Sequence, residues 1–233
     1  MFRRQPKFSL SPLLGAIQQG SLIEVRRILD QNPEQITKRS PNNDSPLHEA
    51  CKLGYEDIVD ILVSRGAAIN AQNKQGYTAL HFATERGHAT IVTILLNNQA
   101  AVDIVNINRQ TALHKVTSIS IALKLLKNGA SVNAANIAGE TVLHECCMRG
   151  NEELVPLLLE YGADLDRENI DSFTPLFTAV AYGNEKTAQL LLSAGAKIMN
   201  RKGNTPIKFS RSSFFKAILI KVIICVVYLN LFG

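Results

Sequence analysis

Tryptophan is absent from the 233 residues, and aromatic side chains make up only 6% of them. Few aromatic anchors are therefore available to any interface, and each one counts. Cysteine is scarce: Cys51, Cys146, Cys147 and Cys225 include an adjacent pair and no CxxC spacing. That pattern is a poor start for a disulfide framework, and reduced thiols in a cytosol-facing protein are expected. The chain also lacks GxGxxG, a GxxxxGK loop followed by Ser or Thr, HExxH and GxSxG. Dinucleotide, P-loop, zinc-protease and nucleophile-elbow chemistry thus have no motif to stand on. The basic N-terminus has no apolar signal-peptide core.

Acidic residues are missing from both ends. Lys186 to Gly233 holds eight Lys/Arg and no Asp/Glu, and the first ten residues hold Arg3, Arg4 and Lys7 alone. The formal net charge of +5 therefore hides an acidic middle of net −6 over residues 11–185. A nucleic-acid-binding body, which needs clustered positive charge, is disfavoured. With 46% hydrophobic and 19% charged residues, the balance is that of a folded chain rather than a disordered one.

What is present is a repeat. Ser45-Pro46-Leu47-His48-Glu49-Ala50, Thr78-Ala79-Leu80-His81-Phe82-Ala83, Thr111-Ala112-Leu113-His114-Lys115-Val116 and Thr141-Val142-Leu143-His144-Glu145-Cys146 align directly. Thr174-Pro175-Leu176-Phe177 and Thr205-Pro206-Ile207-Lys208 continue the series, and Ser11-Pro12-Leu13-Leu14 is a degenerate first copy. Units start at 11, 45, 78, 111, 141, 174 and 205, between 30 and 34 residues apart with 33 the commonest spacing. A hydroxyl can cap a helix and Pro suits its first turn, so each motif opens a short helix. Glycines near 54, 87, 150 and 183 permit a tight turn into a second helix. Gly66, Gly129, Gly162 and Gly195 end that helix. A polar finger leads to the next unit.

Period and motif together resemble the ankyrin repeat family over residues 11–210. The fold class expected is all-α: a solenoid of stacked helix-turn-helix units with hairpin-like fingers, six full repeats plus a truncated last one. Residues 1–10 read as a basic extension. The fourth unit, three residues short and without the inter-helix Gly, is expected to have a shortened first helix. Gln99 takes the place of a helix-ending Gly.

The tail, 211–233, differs. Between Phe214 and Phe232 only Lys216, Lys221 and Asn230 are not apolar, a length that suits a membrane span. Flanking Lys208, Arg211 and Lys216 would keep the repeats in the cytosol. Lys221 argues against a clean span. Three readings stand: a membrane anchor, a helix packed on the sixth unit, and an altered gene end.

Four histidines at one motif position could suggest a metal set. Stacked units hold equivalent atoms too far apart for one ion, and the resemblance implies a structural histidine that bonds the motif hydroxyl and adjoining backbone. No cofactor and no metal are expected. In some ankyrin proteins an asparagine at the position of Asn70 and Asn133 is hydroxylated.

The resemblance also implies a partner-binding concave face made by finger tips and first helices. In this chain that face comprises Lys74, Tyr77, Phe82, Glu85, Arg109, Lys115, Glu140, Glu145, Met148 and Phe173. Tyr77, Phe82 and Phe173 are the expected anchors. The functional expectation is a non-enzymatic, monomeric, cytoplasmic protein-interaction scaffold without nucleic-acid partners. The alternative is a substrate-recruiting adaptor of a larger assembly such as a ubiquitin ligase, for which the tail shows no recruiting motif.

Overall fold

The computed structural model describes residues 11–210 and, beyond them, Ser213, Lys216, Ala217 and Ile220. Among the described residues the regular elements are all helical, with no strand. They come in pairs. Helix α1 (Pro12–Gln18) pairs with α2 (Leu22–Gln31), α3 (Pro46–Leu53) with α4 (Glu56–Ser64), and α5 (Ala79–Glu85) with α6 (Ala89–Asn97). A 3-10 helix, Ala112–Lys115, pairs with α7 (Ile119–Lys127). Next come α8 (Val142–Arg149) with α9 (Leu154–Glu160), then α10 (Pro175–Tyr182) with α11 (Glu185–Ser193). A second 3-10 helix, Pro33–Thr37, follows α2, and a third, Pro206–Phe209, stands alone at the end of the series.

Two compact units divide the chain at Ala130/Ser131, a division that the 33-residue period does not announce. In the first, α1, α3 and α5 pack side by side, and so do α2, α4 and α6. The motif leucines Leu13, Leu47, Leu80 and Leu113 are all at most 2% exposed. Val25, Val59 and Val92 from the second helices are fully buried against them. The second unit stacks α8 on α10 and α9 on α11, with Leu143, Leu176, Val155 and Leu158 inside. Burying one such side chain contributes about 1.5–3 kcal/mol, which a lone helix pair could not collect without its neighbour.

Local chemistry sets where each helix begins. The Ser45 hydroxyl accepts the His48 N–H at 3.2 Å, and Pro46 takes the first helical position. Thr78 caps α5 and Thr174 caps α10 in the same way. In return the ring Nδ1 of each motif histidine accepts the backbone N–H of the capping residue: Ser45 to His48, Thr78 to His81 and Thr111 to His114 at 3.1 Å, and Thr141 to His144 at 3.2 Å. These are capping boxes with histidine standing where Glu or Gln is usual.

Asparagine builds the fingers, and the sequence reading did not single it out. Asn73, Asn106, Asn136, Asn169 and Asn200 each lie five residues before a motif threonine. Each side-chain oxygen accepts two N–H groups, two and four residues ahead; for Asn73 these are Gln75 and Tyr77, at 3.0 and 2.9 Å. The hairpin-like fingers are therefore tight turns closed by a side chain, with no strand among the described residues. The asparagine side chain takes two N–H groups that a longer ladder would use.

Successive fingers lie backbone to backbone. Ile107 N–H donates to Gln75 O at 3.0 Å, and a Cβ on Gly76 would stand 2.8 Å from Asn106 Cα. Gly76 also has φ +75°, so glycine is required there twice over. The equivalent position in the next finger is Arg109, which takes φ +57° all the same. Gln99, in place of a helix-ending glycine, likewise has φ +64°. An L-residue in this region carries roughly 1–2 kcal/mol of strain. Gln99→Gly is expected to stabilise the first unit by about 1 kcal/mol, read as a raised urea midpoint with an unchanged denaturant slope; a lowered midpoint would refute it.

The fourth repeat has the shortened first helix its sequence implies: four residues of 3-10 helix, after which Val116 is extended and Ser118 caps α7. Asn70 and Asn133 bridge neighbouring loops within their units. The Asn70 oxygen accepts Ala101 N–H at 2.8 Å and that of Asn133 accepts Asp164 N–H at 2.9 Å. The hydrophobic tail, 214–232, lies outside the described residues apart from Lys216, Ala217 and Ile220. Among the described residues no helix is long and apolar enough to cross a membrane.

Candidate functional site

Tyr77 is positioned by its own backbone. Its N–H donates to the Asn73 side-chain oxygen at 2.9 Å, while its carbonyl accepts Asn73 N–H at 3.0 Å and the His48 Nε2 proton at 2.9 Å. The half-buried ring rests 5.1 Å from Phe82, measured between centroids, and 5.3 Å from His81. Phe82 is half-buried on α5. Two lysines complete the cluster. Lys52 Nζ lies 5.9 Å from the Phe82 centroid, and Lys115 Nζ lies 5.5 Å from that of Tyr77. Lys115 also approaches Glu85 Oε1 at 3.9 Å. The first unit therefore brings Tyr77, Phe82, Glu85 and Lys115 into one patch. Lys74 and Arg109 stand exposed on finger tips beside it.

Phe173 is held in the same manner in the second unit. Its N–H donates to Asn169 at 2.9 Å, and its carbonyl accepts Asn169 N–H at 2.9 Å and His144 Nε2–H at 3.1 Å. Its ring lies 5.9 Å from Phe177 and 5.1 Å from Phe209. Phe177 occupies the motif histidine position and Phe209 belongs to the final 3-10 helix. Repeat six thus replaces a histidine–carbonyl bond with an aromatic cluster. Lys208 Nζ lies 5.2 Å from the Phe209 centroid, so each unit presents aromatic rings flanked by lysine, an arrangement that attracts cation to ring face. Phe209 is the member that sequence reasoning missed. Its register five residues into unit seven, equivalent to Phe82, was the available signal.

Other candidates are less open. Glu145 is only 7% exposed, and its carboxylate accepts Arg149 Nη2 at 2.8 Å. It is packed into the fold, which leaves little of it accessible on the face where it was expected. Glu140 is half-buried and accepts the Asn136 side-chain amide at 3.0 Å. Met148 is half-buried at the end of α8.

Three of the histidines are bonded in a way that suits one protonation form. In His48, His81 and His144, Nδ1 accepts a backbone N–H and Nε2 donates to a carbonyl, so only the neutral Nε2–H form satisfies both. Burial pushes all three below the ordinary imidazole range, His81 to about 4. Burial raises the thiols of Cys51, Cys146 and Cys147 instead, Cys146 to about 12; a thiol so hard to ionise is a packing group rather than a nucleophile. Among the described residues no three His, Cys, Asp or Glu side chains gather as a metal site. Shallow clefts recur at equivalent inter-helix turns, one beside Gly20 and Gly54 and another beside Gly150 and Gly183. They belong to the repeat geometry.

Comparison with known proteins agrees with this geometry. Residues 47–96 match "Ankyrin repeats (many copies)" and residues 117–202 match "Ankyrin repeats (3 copies)", together more than half of the chain. The ankyrin repeat domain of human ASB11 superposes with a TM-score of 0.80 at 27% identity, covering 91% of this chain and 97% of that one. A probable E3 ubiquitin-protein ligase, XBOS32 of Oryza sativa subsp. japonica, is 38% identical over 69 residues. The Scaffold protein ILK of Homo sapiens is 36% identical over 56 residues. These matches cover 29% and 24% of this chain, and span only 14% and 12% of the relatives' own lengths. Repeating motif, paired helices, histidine capping boxes and matched repeats converge: the chain belongs to the ankyrin repeat family.

Proposed function

We propose that this protein is a non-catalytic scaffold that binds a partner protein through its first helices and finger bases. The observation that carries the reading is the Tyr77–Phe82 pair. The Tyr77 backbone is locked by Asn73 and His48, and both rings stay half-buried, Phe82 near Lys52 and Tyr77 near Lys115. Rigid aromatic anchors of this kind dominate interface energies because little order is lost on binding. The Phe173–Phe209 cluster supplies a comparable anchor in the second unit. The buried, un-ionised thiols suit a reducing compartment such as the cytoplasm.

Affinity capture with the full chain, followed by titration of the recovered partner, tests the reading. Combined Tyr77→Ala and Phe82→Ala substitutions are expected to weaken binding by roughly 30-fold or more, the scale of a hot spot. Asp60→Ala, on the exposed side of α4, serves as the control. Unchanged affinity in a folded double variant would remove the epitope. A second reading, recruitment of substrates to a ubiquitin ligase, draws on the similarity to XBOS32. It is favoured if the captured partner is ubiquitinated in a reconstituted reaction only when this chain is present.

A further inference from the structure

Five fingers are organised by asparagine; the first is organised by Ser40. Its hydroxyl oxygen accepts Asn42 N–H at 3.2 Å and Asp44 N–H at 3.1 Å, the same two-and-four pattern. It also lies 3.5 Å from Asp44 Oδ2. Asp44 is buried, 5% exposed, and its other oxygen accepts Asn73 Nδ2 at 2.7 Å. The next finger leans on the same turn, because Lys74 N–H donates to Asn42 O at 3.0 Å.

Ser40 is also followed by Pro41 and preceded by Lys38 and Arg39. Residues 37–39 and 41–43 are exposed, and Ser40 itself is partly so. Four other Ser/Thr-Pro pairs occur among the described residues, at Ser11, Ser45, Thr174 and Thr205. Each of those hydroxyl residues stands at a helix N-cap, and Ser45 and Thr174 are 5% and 2% exposed. Of the five, Ser40 alone lies in an exposed loop, where a following proline favours extended backbone.

We infer that Ser40 is a phosphorylation site for a kinase that reads serine before proline, and that its modification loosens the first finger. The γ-phosphoryl group of ATP passes to Ser40 Oγ. A new P–O bond forms, the bond to the β-phosphate oxygen breaks, ADP leaves, and the hydroxyl proton goes to the kinase's base. The product places close to two negative charges beside the buried Asp44 carboxylate, where like-charge repulsion opposes the finger. The hydrogen bonds from Asn73 to Asp44 and from Lys74 to Asn42 are then the ones that break.

The test treats the full chain with a proline-directed kinase and ATP, locates phosphate by mass spectrometry, and follows amide exchange. Phosphate is expected on Ser40 and not on Ser45. Exchange of the Asp44 and Lys74 amides is expected to accelerate at least tenfold, while the second-unit fingers keep their protection. Ser40→Asn, which restores the organiser of the other fingers, is expected to stay unmodified at this position and retain slow exchange. An unmodified Ser40 overturns the site. Modification with unchanged exchange overturns the loosening.

Discussion

Stability is expected to fall as the pH drops below about 6.5, the ordinary imidazole value in an unfolded chain. His48, His81 and His144 are held below that value in the folded protein, chiefly by burial. Between the two values the unfolded chain binds protons that the folded one refuses, so folding free energy declines with falling pH. For His81 the window runs from about 6.5 down to about 4. Within it this residue alone sets a slope of up to about 1.4 kcal/mol per pH unit. His48 and His144 act in the same direction. The geometry explains why protonation is refused: a proton on Nδ1 of His81 would confront Thr78 N–H, 3.1 Å away. Urea denaturation at pH 7, 6 and 5 measures the effect, and a His81→Gln variant should flatten the dependence. A midpoint unmoved between pH 7 and 5 would show that the buried imidazoles can be charged in place.

The largest single-residue effect is expected from Phe177→Ala. The ring is 1% exposed and meets both Phe173 and Phe209, 5.9 and 6.4 Å away between centroids. Removing a buried phenylalanine costs roughly 3–5 kcal/mol, part of it from the cavity left behind. In a unit of this size that corresponds to a fall in melting temperature of well over 10 °C. Phe177→Leu keeps most of the volume and should cost about 1.5 kcal/mol or less. Differential scanning calorimetry distinguishes the two. If the alanine variant melts within 2–3 °C of the parent, the aromatic cluster does not support the second unit.

The repeat was legible because its landmarks are chemical and periodic. Hydroxyl, proline, leucine and histidine recur in register, and Gly66 and Gly129 mark helix ends with φ +83°. Even the defect in the fourth repeat was readable from three missing residues. The asparagines at 73, 106, 136, 169 and 200 recur just as regularly. Polar loop residues carry no hydrophobic period, so they do not stand out, although their register held the signal. Glu145 could not have been placed from sequence alone. The same motif position is half-buried at Glu49 and covered at Glu145, and only packing decides which. Phe173 was legible from its register, but its neighbours Phe177 and Phe209 come from two repeats and meet only in three dimensions.

The histidine bonds have a direction. His48 reaches the carbonyl of Tyr77, His81 that of Gln110 and His144 that of Phe173, each 29 residues further along the chain. None of these links can close until the following repeat has been synthesised. At a ribosomal rate of 5–20 residues per second, the wait is roughly 1.5–6 s. During that interval the newest repeat has its cap but not its latch. For these three repeats the arriving finger then fastens the repeat before it, so each would be secured one repeat behind the point of synthesis.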